Sequence, residues 1–136
     1  MKNKQEKFKT LLGSEIELNG ENLVFTINGV AVDLAGTMGD ESTSCSENTT
    51  KVLVECAYFK PEEILGKARQ YNLNSEASYK FERGVDFLLP NLALDKFVNY
   101  IKDTDIKILE RKSLGKNSSL PKNKKLNIIS KSHFNH

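Results

Sequence analysis

Several residue types that define common protein classes are scarce or absent in this sequence. It contains no tryptophan, two histidines and two cysteines in 136 residues. Cys45 and Cys56 are too few for a disulfide framework or a four-thiolate zinc site, so we predict a reducing compartment, the cytoplasm. Neither cysteine lies near a histidine in the sequence, and His133 and His136 lie near no acid or thiol. We therefore predict no nucleophilic cysteine, no metal site and no bound cofactor in this chain.

Long apolar runs are also missing. No stretch approaches the roughly 18 apolar residues that a membrane-spanning helix needs. The first residues, MKNKQEKFK, are basic but lack the apolar stretch of a signal peptide. We therefore expect no membrane partner. The length suits one ordinary domain, and 38% hydrophobic residues allow a core of moderate size.

Strong charge of one sign is absent as well, because 20 basic residues face 18 acidic ones, for a net charge of +2. Six of the lysines lie in residues 112–136, which contain no acid, so the preceding 111 residues hold 14 bases and 18 acids. The basic tail is either a solvated linker or a contact for a phosphate backbone. The low net charge argues against an independent nucleic-acid-binding module, and we expect no DNA partner.

The first third of the chain predicts an antiparallel β-meander. Apolar segments are separated by Gly13-Ser14, Asn19-Gly20 and Asn28-Gly29, and Asn-Gly supplies the two positive φ values of a type I′ hairpin turn. The predicted strands are Phe8–Leu12, Glu15–Leu18, Leu23–Ile27 and Val30–Ala35.

Helices dominate the second half. Residues 36–50 are small and polar and predict a loop, and Lys51–Ala57 predicts a fifth strand. The predicted helices run from Pro61 to Asn72, from a Ser75 cap through Phe81 to a stop at Gly84, and over 87–102 with an early interruption at Pro90. Alternation in 105–111 indicates a strand, although its apolar residues disagree in phase. The pattern as a whole predicts an α+β (mixed α/β) fold.

Two features carry candidate chemistry. Glu55 stands between Val54 and Cys56 on an apolar strand pattern; it is either a charge that protects an edge strand or a pocket-wall carboxylate that accepts a hydrogen bond from a ligand. Gly36 and Gly39 bracket Thr37-Met38 and form either a plain turn or a place where backbone approaches a ligand closely. No GK[ST] follows, so this is not a phosphate-binding loop.

The stretch from Leu34 to Asp86 contains these features in a known order: an A-G-x-M-G loop, then L-x-E-x-A-x-F, then A-R, then A-S-x-x-F-E-R-G-V-D. In this order it resembles the central editing domain of the bacterial phenylalanyl-tRNA synthetase β chain. The matching positions are Gly36, Met38, Gly39, Val52, Leu53, Glu55, Ala57, Phe59, Ala68, Arg69, Ala77, Ser78, Phe81, Glu82, Arg83, Gly84, Val85 and Asp86.

The resemblance implies an α2β2 enzyme that makes phenylalanyl-tRNA from ATP, phenylalanine and tRNA. Its β chain hydrolyses mischarged tyrosyl-tRNA, and the implied partners are tRNA and the α chain. ATP and Mg²⁺ would serve the assembled enzyme, with none held by this chain. The editing-site residues that carry over are Glu55, as acceptor for the phenolic hydroxyl, with Gly39, Ser75 and Ala77.

Departures from the family pattern matter to this implication. Ser75 stands for a threonine, Glu76 for an aspartate and Lys80 for an arginine, and Asp40 replaces a glycine and would add a charge beside the pocket. A family editing-site histidine lies upstream of where this chain begins. We therefore expect an incomplete domain: residues 1–114 as the second half of the editing domain, 115–125 as a linker and 126–136 as the start of the next module. The alternatives are a catalytically silent fragment with only structural or RNA-binding contacts, and an independent RNA-binding module.

Overall fold

A computed structural model describes residues 5–113 and has the predicted α+β class, with short antiparallel strands followed by helices. A single-turn 3-10 helix, Glu41–Thr43, separates the two halves. The strands are β1 (Glu6–Lys9), β2 (Glu15–Leu18), β3 (Val24–Ile27), β4 (Val30–Leu34) and β5 (Met38–Gly39), and the helices are α1 (Pro61–Ile64), α2 (Lys67–Gln70), α3 (Glu76–Arg83) and α4 (Leu89–Ile101).

The strands form two small sheets and not one continuous meander. One sheet is the hairpin β1–β2, and the other has the order β3–β4–β5. The predicted type I′ turn is present between β3 and β4, where Asn28 and Gly29 have φ values of +51° and +82°. The expected type I′ turn at Asn19-Gly20 is wrong, because neither residue has a positive φ. The chain turns instead over Asn19–Asn22, where the Asn22 N–H donates to the Asn19 carbonyl at 3.3 Å and the Asn19 side chain accepts the Glu21 N–H at 3.2 Å.

Backbone contacts join the two sheets at β5. A bridge pairs Thr10 with Asp40, and the Leu11 N–H donates to the Gly39 carbonyl at 3.0 Å. The short strand Met38–Gly39 lies inside the predicted loop, so that prediction holds only for the residues after the 3-10 helix. β5 is therefore the strand that gives the β1–β2 hairpin its backbone contacts with the second sheet.

Two apolar clusters form the core. The larger joins both sheets to the helices and contains Phe8, Leu18, Ala31, Leu34, Ala68 and Leu73. The smaller contains Ala35, Phe59 and Ile64, with Phe81 packed edge-to-face against Phe59 at a centroid distance of 5.0 Å. Gly36 lies at this cluster with a φ of +65°, and a Cβ there would lie 3.1 Å from Phe59 Cδ2. Both backbone conformation and space therefore require glycine at position 36.

The helices follow their predicted caps more closely than their predicted lengths. Ser75 caps α3 by accepting the Ser78 N–H at 3.0 Å, and α3 ends at Gly84 with a φ of +88°. The single helix predicted from Pro61 to Asn72 is wrong, because Gly66 adopts a φ of +76° and divides it into α1 and α2.

α4 begins with Pro90 in its first turn, where proline is tolerated, so the expected interruption is also wrong. None of the described helices is long and apolar enough to cross a bilayer.

Two predicted strands are absent from the described part of the chain. Residues 51–57 form no strand and pair with none of the described strands, and Lys51 to Glu55 are solvent-exposed. Residues 105–111 likewise form no strand. The predicted linker 115–125 and the segment 126–136 lie outside the described residues, and the predicted boundary at residue 114 stays a prediction.

Candidate functional site

A row of three residues crosses the β3–β4–β5 sheet on one face. Asp33, on the central strand β4, is the cross-strand partner of Phe25 on β3 and of Gly39 on β5. Directly paired residues of antiparallel strands present their side chains on the same side of the sheet. The carboxylate of Asp33 therefore lies between the Phe25 ring and the bare backbone of Gly39.

Gly39 leaves room that any other residue would fill. A Cβ at this position would lie 3.1 Å from Leu11 Cδ1 and 3.9 Å from Asp33 Oδ1. Its φ lies outside the left-handed region, so space, and not backbone strain, is the reason for glycine here. The structure therefore shows Gly39 packed closely against the Leu11 side chain and near the Asp33 carboxylate, and its approach to a ligand stays a prediction.

The segment that carries Glu55 runs over the same face of the sheet. Phe59, four residues after Glu55, packs its ring edge-to-face against Phe25 at a centroid distance of 6.1 Å. Glu55 itself is solvent-exposed, like the four residues before it, and burial increases from Cys56 to Phe59. The interpretation of Glu55 as a protective charge on an edge strand does not hold, because residues 51–57 are not a strand.

Asp33 and Glu55 influence each other electrostatically. Burial raises the pKa of Asp33 from 3.8 to about 6. Burial also raises the pKa of Glu55, and the negative charge of Asp33 raises it further. Within residues 5–113, neither carboxyl group has a side-chain hydrogen bond or a salt bridge. The two acids are thus neighbours, and neither is neutralised by the described protein.

The Ser75 side chain contacts this region through a hydrogen bond to a backbone carbonyl. Its hydroxyl donates to the Thr37 carbonyl at 2.7 Å, two residues before Gly39, while accepting the Ser78 N–H as the α3 cap. The Ser78 hydroxyl in turn donates to the Ser75 carbonyl at 2.9 Å. This network fixes the start of α3 against the turn between β4 and β5, so the hydroxyl of Ser75 is engaged within the fold.

Ala77 is half-buried in the first turn of α3, a helix that packs against α1. Ser75 also lines an open depression of about 340 Å³ together with Asn74, Glu76 and Tyr79. Of the four predicted site residues, Ser75 and Ala77 lie together at the start of α3. Gly39 lies in the sheet as the cross-strand partner of Asp33, and Glu55 lies in the unpaired segment whose charge Asp33 influences. Thr37 connects the start of α3 to the strand that contains Gly39.

Asp40 does not place its charge where the sequence led us to expect it. Its carboxylate accepts the Lys9 N–H at 3.1 Å and the Ser42 N–H at 2.8 Å, and also bonds the Ser42 hydroxyl. Burial alone would raise the pKa of Asp40, but these hydrogen bonds from Ser42 and Lys9 outweigh it and lower the pKa. Asp40 therefore caps the 3-10 helix and ties it to β1.

Other candidate chemistry is sparse in the described residues. Among residues 5–113, no group of three or more His, Cys, Asp or Glu side chains is placed to hold a metal ion. Cys45 is an exposed thiol and Cys56 a half-buried one. A separate open groove of about 530 Å³ runs along the β1–β2 hairpin, and Lys7, Lys9, Glu15 and Glu17 line it with mixed charge.

Asp33 is the site residue that the sequence reasoning missed. Like Glu55, Asp33 is an acid between two apolar residues in the sequence, Val32 and Leu34, and this pattern could have identified it. The strand alternation alone did not distinguish it from an ordinary exposed position, because only the pairing with Gly39 shows what it faces.

This fold and this arrangement of residues agree with a defined family of domains. The sequence matches the model of the B3/4 domain over residues 1–105, and the chain belongs to the B3/4 domain family. Its curated relatives are phenylalanine–tRNA ligase beta subunits. That of Vibrio cholerae is 43% identical over 91 residues, covering 67% of this chain and 11% of the subunit. That of Psychrobacter arcticus is 43% identical over 97 residues, covering 71% and 12%. That of Photorhabdus laumondii is 38% identical over 103 residues, covering 76% and 13%.

The resemblance drawn from the motifs is thereby confirmed, and the chain corresponds to one segment of these subunits. It spans only 11–13% of their length. The activities of the whole ligase therefore come to this chain only as proposals.

Proposed function

We propose that this domain serves tRNA-dependent editing in a phenylalanine–tRNA ligase beta chain, by recognising the hydroxyl of a mischarged tyrosyl group so that tyrosyl-tRNA is hydrolysed. The observation that carries the proposal is the packing of Phe59 on Phe25, which places the Glu55 segment over the Asp33–Gly39 pair of the β3–β4–β5 sheet. Within residues 5–113, the Glu55 carboxylate has no side-chain hydrogen bond or salt bridge.

The physical need for such a site follows from the aminoacylation step. A pocket built for a phenyl ring cannot strongly reject a ring that only adds a hydroxyl, so a second site must test for that hydroxyl. A carboxylate accepting the phenolic O–H forms a charge-assisted hydrogen bond, which contributes about 1.5–3 kcal/mol. Phenylalanine would leave the same carboxylate desolvated and unpaired. Glu55 provides this asymmetry.

The partners and setting belong to the same proposal. The domain would act with tRNA and with the ligase α chain in an α2β2 enzyme of protein synthesis in the cytoplasm. The assembled enzyme would use ATP and Mg²⁺, which residues elsewhere in that enzyme would bind.

A second candidate is a catalytically silent domain that retains structural or RNA-binding contacts. The engaged hydroxyl of Ser75 favours it, because a group that already donates to the Thr37 carbonyl and caps α3 is not available to a substrate without a rearrangement. The exposure of residues 51–55 also favours it, since a pocket wall is normally enclosed.

Replacement of Glu55 tests the proposal. This domain would be grafted into the Vibrio cholerae beta subunit over the matching stretch, and the ligase would be assembled with its α chain. Glu55→Ala is expected to lower the preference for hydrolysing tyrosyl-tRNA over phenylalanyl-tRNA by about tenfold or more, because the hydroxyl loses its charged acceptor. The measurement is the deacylation rate of each aminoacyl-tRNA.

Two controls accompany this measurement. Glu62→Ala removes an exposed carboxylate of α1 and is expected to leave the preference unchanged. The 136-residue chain alone is expected neither to aminoacylate tRNA nor to hydrolyse tyrosyl-tRNA appreciably. An unchanged preference in Glu55→Ala would favour the silent domain.

A further inference from the structure

Asp33 is a carboxylate in an unusual position for a side chain without a role. It lies half-buried on the central strand of the β3–β4–β5 sheet. Acids on central strands are disfavoured unless a partner compensates for their burial. No salt bridge or side-chain hydrogen bond in residues 5–113 compensates for that of Asp33.

The neighbours of Asp33 place it at the proposed hydroxyl-recognition site. Gly39 lies across from it on β5 and places no side chain against it, with 3.9 Å between Asp33 Oδ1 and the position of a Gly39 Cβ, while Leu11 packs beside Gly39. Phe25 lies across from it on β3 and packs against Phe59, which holds the Glu55 segment over the same face. Asp33 and Glu55 therefore approach one region from the sheet and from the covering segment.

A phenolic hydroxyl offers two hydrogen-bonding functions, one proton to donate and an oxygen lone pair to accept with. A single carboxylate can accept the phenolic proton, but it leaves the phenolic oxygen without a hydrogen-bond donor. Two neighbouring acids that share a single proton present one acceptor and one donor, and like charges in a partly buried site favour such sharing. A phenyl ring satisfies neither acid.

We infer that Asp33 is a specificity-determining residue of this site, where it donates a carboxyl proton to the phenolic oxygen while Glu55 accepts the phenolic proton. The inference rests on the proposed function and deepens it, because it assigns the second hydrogen bond of the tyrosyl hydroxyl. Asp33 takes no part in bond breaking in this scheme. It raises selectivity for a ligand that carries the hydroxyl.

The charges around the pair are few, which makes the assignment testable. The carboxyl group of Asp33 is the charge that acts on Glu55, and the raised pKa of Asp33 has burial as its cause. Asp40, the residue after β5, is directed toward Lys9 and Ser42 and is not part of the pair. An asparagine at position 33 keeps the shape and a donor without needing a shared proton, whereas an alanine removes the donor.

The experiment measures binding to the full 136-residue chain, so that hydrolysis is not required. L-tyrosinamide and L-phenylalaninamide would be titrated against ¹⁵N-labelled protein at pH 5.5, below the Asp33 pKa of about 6, so that Asp33 holds a proton to donate. The ratio of their dissociation constants would be read from amide chemical shifts. Asp33→Ala is expected to lower the preference for tyrosinamide by about tenfold, the loss of one hydrogen bond. Asp33→Asn is expected to retain it. Asp103→Ala, an exposed acid after α4, is the matched control.

Each outcome decides a different statement. Loss in Asp33→Ala with retention in Asp33→Asn supports the inference, provided that amide spectra show both variants folded. Retention in Asp33→Ala, or equal loss in both variants, overturns it. If Glu55→Gln loses the preference while Asp33→Ala keeps it, the proposed function stands and the inference fails. Equal binding of the two amides by the unsubstituted chain overturns the proposed function and the inference with it.

Discussion

Asp33 ionises at a higher pH than an exposed aspartate because its position on the central strand removes water from the carboxylate. A folded-state pKa of about 6 against 3.8 means that the folded state holds this proton more tightly than the unfolded state does. The proton therefore favours the folded state at low pH, and that contribution is lost as the pH rises from about 4 to about 6. The contribution of Asp40 to the pH dependence of stability has the opposite sign, because its lowered pKa favours the folded state at higher pH.

Comparing Asp33→Asn with the unsubstituted chain isolates the first effect. Between pH 4 and pH 6.5, the free energy of unfolding of Asp33→Asn is expected to fall less than that of the unsubstituted chain, because asparagine does not ionise. The stability of the variant relative to the unsubstituted chain therefore rises with pH. Urea unfolding at several pH values measures the difference, and Asp103→Asn is the control for removing an exposed acid. Parallel pH profiles for the two proteins would show that Asp33 is solvated in the fold.

Gly36 and Gly29 separate the effect of backbone conformation from that of packing. Both have a positive φ, +65° and +82°, but a Cβ at Gly29 meets nothing within 4 Å, whereas one at Gly36 meets Phe59, Phe81 and Ile64 at 3.1–3.3 Å. Gly29→Ala is expected to cost about 1–2 kcal/mol for the strained backbone.

Gly36→Ala is expected to cost about 1–3 kcal/mol more, for overpacking the smaller core cluster. The free energy of unfolding in urea measures both variants. Equal losses of unfolding free energy in the two variants would mean that the aromatic cluster accommodates the added methyl group and that packing at Gly36 is loose.

At the scale of elements, the start of α3 is the joint between the helices and the sheet. Ser75 combines a local function, capping the helix, with a long-range one, the bond to the Thr37 carbonyl. The local function is predictable from sequence because serine before an acidic first turn is a common helix start. The long-range bond depends on where β5 lies, and no spacing along the chain indicates it.

Ser75→Ala is expected to lower the free energy of unfolding by about 1–2 kcal/mol, since a helix cap and a second hydrogen bond are lost together. Ser75→Thr keeps the hydroxyl and is the matched control, with an expected change close to zero. Chemical denaturation measures both. A loss in Ser75→Thr as large as that in Ser75→Ala would indicate that the site has no space for a methyl group and that the hydroxyl matters less.

At the scale of the whole molecule, many large apolar side chains lie exposed, including one group before Glu55 and one on α4. Val52, Leu53 and Val54 precede Glu55, and Leu53 is 93% exposed. The outer side of α4 carries Leu89, Leu92 and Tyr100, the last 86% exposed. Exposed apolar groups of this kind mark surfaces that another surface covers in a protein's working state.

The chain in isolation is therefore expected to self-associate or to be marginally stable. Sedimentation velocity at several concentrations measures association, and thermal unfolding measures stability. Replacing Leu53 and Leu92 by serine is expected to reduce association, with Lys51→Ser as a control on an already polar position. A concentration-independent monomer with a sharp, high-temperature unfolding transition would show that these side chains need no cover.

Local chemistry determined what could be predicted for this protein. The Asn28-Gly29 turn, the Ser75 cap and the Gly84 stop depend on residues within one turn of each other, and all three are present. The ordered motifs from Leu34 to Asp86 likewise identified the family, because a family pattern is a property of the sequence.

Tertiary structure decided what depends on distant partners. Strand pairing divided the expected meander into two sheets, and 51–57 pairs with none of the described strands. The proximity of Asp33, Gly39 and Glu55 also belongs to this class. The sheet pairs Asp33 with Gly39, and a ring contact between Phe25 and Phe59 brings the Glu55 segment over them. Pairings between segments tens of residues apart are set by packing, which spacing along the chain does not encode.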